Sequence, residues 1–229
     1  MEKLLLAICV FFVTSIYSQD SLTIFIGADQ NVSEVLTPKK IYKYPGFKPG
    51  KIFFKDGSFA NGTFNYNYLN GEIEFAQQDT LALAKEQMLN IKVLTLDRDS
   101  FFYDKGYLQQ ILQTPFGRLL KKQMLVITKR EKIGGYNQPN PASAIESYGS
   151  FTDNYGVFTP NLKIHENITL ILRTDFYFGD RFNTFLPANK RNLLKLYPNK
   201  KSQIDEYLRT HTVNFKNAED LRNLLTSLH

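Results

Sequence analysis

Phe64-Asn65-Tyr66-Asn67-Tyr68-Leu69-Asn70-Gly71-Glu72-Ile73-Glu74-Phe75 decides the fold class. Aromatic and polar residues alternate up to Tyr68, and Ile73 and Phe75 alternate with Glu72 and Glu74. A period of two places alternate side chains on opposite faces of a strand. Between the two runs, Asn70-Gly71 supplies the positive φ that a two-residue hairpin turn requires. The same grammar extends upstream, where Ile52-Phe53-Phe54 runs into Asp56-Gly57 and Phe59 precedes Asn61-Gly62. Both dipeptides are expected to be hairpin turns. Downstream, a turn at Gln77-Gln78-Asp79 leads to Leu81 and Leu83, residues 84–90 read as a helical turn, and strands are expected at Ile91 to Leu96 and Ser100 to Tyr103 around Asp97-Arg98-Asp99.

Residues 107–127 also fit a helical stripe through Leu108, Ile111, Leu112, Leu119, Leu120, Gln123, Met124 and Ile127. Pro115 and Gly117 interrupt it, so two strands joined by a turn at Thr114 to Gly117 are expected, with Leu125-Val126-Ile127 as strand core. Leu162 to Leu172 and Asp175 to Gly179 restore the alternation. Short strands with evenly spaced turn signals point to a curled antiparallel β-meander or small barrel.

Residues 181–229 change period. Leu193, Leu194 and Leu196 stop at Pro198, Ser202 with Asp205 makes a capping-box-like start, and Asn217 with Asp220 opens the stripe Leu221, Leu224, Leu225, Leu228. About three short helices cannot bury these stripes alone and are expected to pack on the sheet, which makes the fold class α+β. Residues 19–49 read as an N-terminal arm and a connector in which Pro38, Pro45 and Pro49 remove backbone donors, so an extended path is expected there rather than a sheet interior. Within the β domain, residues 50–180, the stretch 132–161 is rich in Gly, Pro, Ser and Asn and reads as a mobile insertion.

The 229 residues are 43% hydrophobic and 22% charged, which excludes both wholesale disorder and a multi-span membrane protein. Twenty-eight Lys and Arg against 22 Asp and Glu give a net charge of +6. The excess is spread over residues 118–132 and 181–229 and accompanies no nucleic-acid motif, so a solvated face is expected and specific nucleic-acid binding is not. Met1-Glu2-Lys3, the apolar run Leu4 to Val13 and the polar Thr14 to Ser18 form a signal peptide in residues 1–18, too short to span a bilayer. The expected destination is the periplasm or the medium. Cys9, the sole cysteine, lies in that run, so the mature chain would have no disulfide, thiolate nucleophile or cysteine metal site.

Three histidines, His165, His211 and His229, lack metal-ligand spacing, and no Gly-x-Ser-x-Gly occurs. No catalytic, metal or cofactor-binding residue is nominated. Asp97 with Asp99, and Asp175 with Asp180, are the carboxylate pairs that could cleave a glycosidic bond, although all four flank turns that favour Asp for backbone reasons. Ser21 in Asp20-Ser21-Leu22 and Thr80 in Asp79-Thr80-Leu81 look like Bacteroidota O-glycosylation sites.

Lys51 to Gly57, Asn65-Tyr66-Asn67, Asp79 to Leu83, Leu193 to Pro198, Val213-Asn214-Phe215 and Asp220-Leu221 together resemble a group of uncharacterised exported proteins of Bacteroidota, of flavobacterial type. The resemblance covers most of residues 45–229 and implies compartment and architecture without an activity. The expectation is a non-enzymatic envelope module binding a protein or glycan partner. The alternatives are a glycan-directed hydrolase using the paired carboxylates, and a membrane-surface adaptor binding anionic lipid through Lys39 to Lys48 and the basic helices.

Overall fold

The computed structural model describes residues 22–76, 81–82, 88–134 and 163–228. The signal peptide, Ser21, Thr80, His229 and nearly all of the 132–161 insertion lie outside the described residues.

Eleven strands are described: β1 (Thr23–Ile26), β2 (Lys48–Phe54), β3 (Phe59–Asn67), β4 (Glu72–Phe75), β5 (Leu81–Ala82), β6 (Ile91–Leu96), β7 (Asp99–Tyr103), β8 (Tyr107–Gln113), β9 (Gly117–Lys132), β10 (Glu166–Asp180) and β11 (Phe185–Pro187). They form one antiparallel sheet in the order β1-β10-β9-β8-β7-β6-β2-β3-β4-β5, with β11 beside β10. Two hairpin runs, β2 to β5 and β6 to β10, are joined where β2 pairs with β6. Helical pieces flank the sheet: α1 (Val32–Val35), α2 (Pro38–Ile41), α3 (Lys190–Leu196), α4 (Lys201–Thr210) and α5 (Ala218–Thr226). Among the described residues no helix is long and apolar enough to cross a membrane.

The sheet curls without closing. β8 pairs with β9 only as far as Lys121, opposite Gln109. Beyond that point the end of β3 covers the freed edge of β9: Tyr66 Oη donates to Gln123 O at 2.8 Å, and Leu125 N donates to Tyr68 O at 2.7 Å. These contacts satisfy backbone groups that a buried edge would otherwise leave unpaired. Inside the curl, Phe64, Tyr66, Ile73, Leu94, Leu96, Phe101 and Tyr107 form one apolar cluster, with Tyr66 stacked on Phe101 at 5.7 Å between ring centres.

Three expectations are corrected. Gly57 and Gly71 have φ of +90° and +70° and turn their hairpins as expected, but Asn61-Gly62 is not a turn. Both residues lie inside β3, where Gly62 faces Gly50 of β2. A Cβ on Gly62 would stand 2.7 Å from the Phe64 ring, so this glycine makes room for an aromatic side chain. Pro49 does not belong to a connector but to β2. It is tolerated because the β6 ladder begins one residue later, at Gly50, leaving Pro49 paired to β3 alone. Ser202 does not cap α4. The chain enters that helix directly from a 3-10 turn at Pro198–Lys200, leaving Ser202 within the first helical turn.

The hairpin β9–β10 is the spine, with strands of 16 and 15 residues. Leu119, Lys121, Gln123, Leu125 and Ile127 alternate along β9 and so share one face. At one end of that face, Leu125, Ile127, Ile168 and Leu170 pack against Ile24, Ile26, Val32, Leu36 and Ile41 of the N-terminal arm. At the other end, Leu119, Phe176 and Phe178 pack against Leu193, Ile204, Leu221, Leu224, Leu225 and Leu228. The last four leucines are the predicted stripe of α5, whose N-cap Asn217 accepts from Glu219 N at 2.8 Å and Asp220 N at 3.1 Å.

Candidate functional site

Two apolar layers cover the two ends of this face, and a cleft of about 500 Å³ lies between them. Its floor is Lys121 and Gln123 of β9 with their cross-strand neighbours Phe176 and Thr174 of β10. One wall carries Lys43 and Tyr68, and the opposite wall carries Ala218 and Arg222 of α5. The polar pair Lys121 and Gln123 interrupts an otherwise apolar row, and the interruption falls where neither layer reaches.

Burial pushes the Lys121 ammonium down to about 8, with Lys43 and Arg222 repelling it and Asp99 opposing the shift. Among the described residues the Lys121 side chain has no hydrogen-bond or ion-pair partner. Lys43 has one, with its Nζ 3.8 Å from Asp99 Oδ2. Burial still lowers the Lys43 pKa against the pull of Asp99. The Tyr44 hydroxyl also donates to Asp99, and burial together with that bond raises its pKa. At the floor, Gln123 Nε2 donates to Thr174 Oγ1 at 3.2 Å, so the hydroxyl keeps its own proton for another acceptor. The cleft therefore gathers three cations against one carboxylate that is already engaged.

A larger cleft of about 840 Å³ is lined by Lys55, Glu72, Tyr103, Asp104, Lys105 and Asn183, among others. Burial pushes Glu72 up to about 7, with Lys122 opposing. Glu72 Oε2 and the Tyr107 hydroxyl are enclosed and have no hydrogen-bond partner. A carboxyl so placed favours its neutral form, because ionisation would leave a charge without donors. The unpartnered oxygen is closed off from the cleft, and Asp104 is not among the charges acting on Glu72. Size therefore favours this cleft, whereas accessible chemistry favours the smaller one.

Of the four carboxylates singled out in the sequence, three have side-chain hydrogen-bond or ion-pair partners and the fourth, Asp97, forms a turn. Asp97 takes φ of +54° in the β6–β7 turn, and Asp99 holds Lys43 and Tyr44. Asp175 accepts from Arg173 Nε at 2.9 Å, and Asp180 accepts from Phe182 N and Thr184 N, each at 2.8 Å, in the turn before β11. His165 precedes β10 and meets Asp29 at 2.5 Å on the surface, whereas His211 stacks on Tyr207 at 4.2 Å between ring centres. Among the described residues no group of three or more His, Cys, Asp or Glu could hold a metal ion. Lys121, Thr174 and Arg222 escaped the sequence reading, although the break in the β9 row was a visible signal.

The chain matches no known protein family, no curated protein and no solved structure.

Proposed function

We propose that this chain is an exported, non-enzymatic binding module of the cell envelope, with its ligand seated between the N-terminal arm and the C-terminal helices. The observation that carries the reading is Lys121, an ammonium drawn from water onto the cleft floor without a partner. Such a charge costs stability, and folds retain costly groups chiefly where function uses them. Export is supported by the apolar run Leu4 to Val13 and the polar stretch after it. N-terminal sequencing of protein recovered from its native envelope should start near Gln19, and recovery of Met1 would refute export.

For the ligand seat, the test is to titrate the isotopically labelled mature chain with a soluble envelope extract. Resonances of Gln123, Thr174 and α5 should move together. Shifts scattered over the surface, or none, would refute this location.

Glycan hydrolysis remains the rival and rests on Glu72, which holds its proton to about pH 7 in a cleft that Asp104 also lines. General acid catalysis requires that proton to reach the substrate. Among the described residues no second carboxylate acts on Glu72, so the paired acid and nucleophile or base that glycoside cleavage needs are not assembled, and binding is the reading that the geometry favours.

A further inference from the structure

We infer that the cleft between the arm and α5 recognises an oxyanion, a phosphate or carboxylate group carried by a small organic molecule. The inference rests on the ligand-seat reading above and gives its chemistry. Three separate elements bring the charges together: Lys43 follows α2, Lys121 comes from the middle of β9, and Arg222 comes from α5. Among the described residues Asp99 is the carboxylate that opposes them, and it is held by Lys43 and the Tyr44 hydroxyl.

Donors outnumber acceptors among the free groups at the floor, where Gln123 Oε1 is an acceptor. Lys121 offers three N–H bonds and Thr174 one O–H, while the guanidinium of Arg222 can present its planar fork from the wall. A cation would meet net repulsion here. A neutral ligand would leave the half-buried ammonium uncompensated, whereas an oxyanion supplies both opposite charge and several lone pairs, giving the shorter and stronger charge-assisted bonds. The depressed Lys121 value of about 8 follows from the same arrangement, since burial, Lys43 and Arg222 all disfavour an added positive charge until an anion arrives.

Size extends the argument from the group to the molecule. A cleft of about 500 Å³ is larger than an inorganic oxyanion needs and falls within the ordinary range for small-molecule sites. Tyr68, Ile111, Leu172 and Phe176 line the remainder. An aromatic and aliphatic wall beside a cationic floor suits an acidic or phosphorylated sugar, whose ring can lie on the wall while its anion meets Lys121.

The mature chain should be titrated with inorganic phosphate, with glucuronate and with glucose, at pH 7 and constant ionic strength. At least one anion should move Gln123 and Thr174 resonances saturably, and glucose should not. Whichever anion binds more tightly identifies the head group. Lys121→Met should weaken that anion about tenfold or more, and Arg222→Gln by several-fold, as expected when charge-assisted bonds are removed. Lys92→Met, an equal loss of charge on the exposed side of β6, should leave the affinity unchanged. Affinity should also fall above pH 8 as Lys121 loses its proton. Failure of both anions to saturate, or identical weakening by Lys121→Met and Lys92→Met, would overturn the inference. If the envelope extract still moved the cleft resonances while both anions failed, the oxyanion would be wrong and the ligand seat would stand. If neither acted, both would fall.

Discussion

Replacing Lys121 by Met isolates the energetic consequence of the charged cleft floor. In the unfolded chain this ammonium has its ordinary value of 10.5, and in the fold burial brings it to about 8. A lysine with a depressed folded pKa binds its proton more tightly when unfolded. It therefore lowers stability in full below about pH 8, and the penalty shrinks as pH rises toward 10.5. The gap between the two values corresponds to about 3 kcal/mol, and contact with cleft water screens this to about 1–2 kcal/mol. Lys121→Met keeps the unbranched stem and removes the charge, so at pH 7 it should raise the unfolding free energy by about 1–2 kcal/mol. By pH 9.5 roughly half of that gain should have disappeared, because the wild type has shed its penalty. Urea unfolding of both proteins at the two pH values, extrapolated linearly, reads the difference directly. The comparison cancels the tyrosines that begin to titrate near the upper value. A variant no more stable than wild type at pH 7, or a gap that ignores pH, would refute the reasoning.

Three further outcomes follow from the packing. Leu224→Ala should cost about 2–5 kcal/mol, since Leu224 is 0% exposed between α5 and the sheet, and an unchanged unfolding midpoint would refute its structural role. Gly50→Ala should destabilise more than Gly62→Ala: the new Cβ would lie 2.6 Å from the fixed Thr95 carbonyl oxygen in the first case and 2.7 Å from the movable Phe64 ring in the second. The reverse order in denaturant melts would overturn this account of the β2–β3 pair. Glu72 is raised from 4.5 to about 7, so its contribution is complete below 4.5 and is lost as pH rises through 7. Wild-type stability should accordingly fall by about 1–2 kcal/mol between pH 5 and 8 after allowance for screening, while Glu72→Gln should show little of that fall.

Some of the fold was legible because one residue had one job. Asp56-Gly57 and Asn70-Gly71 marked hairpins, and both glycines adopt the positive φ that made them readable. Asn61-Gly62 carries the same signature for a different reason, as its glycine clears space for Phe64. Nothing within the dipeptide separates conformational freedom from close approach, because the second depends on the facing strand. Likewise, Leu22 to Ile26 fall in the stretch read only as an arm, because the strand that pairs with them, β10, follows the 135–162 stretch in sequence, and Thr23 pairs with Ile171. The α5 stripe needed no such information: its period, its Asn217 cap and its buried leucines are all local.

The site was legible only as an anomaly. Lys121 and Gln123 occupy inward positions between Leu119 and Leu125, a departure that alternation alone exposes. Proteins often place an inward lysine on an edge strand to block pairing with another chain. That explanation fails here, because Lys121 is paired on both sides, with Gln109 of β8 and Phe176 of β10. Nor does Lys121 serve an internal ion pair, since Asp99 lies with Lys43 and Tyr44. What the sequence could not reveal is that the arm and the helical layer, joined to this strand by distant stretches of chain, stop short of each other above it. Their gap turns a misplaced lysine into the floor of a cleft and brings Lys43 and Arg222 to its walls. A charge that neither guards an edge nor completes an ion pair destabilises the unliganded fold, and an anionic ligand is what would convert that cost into affinity.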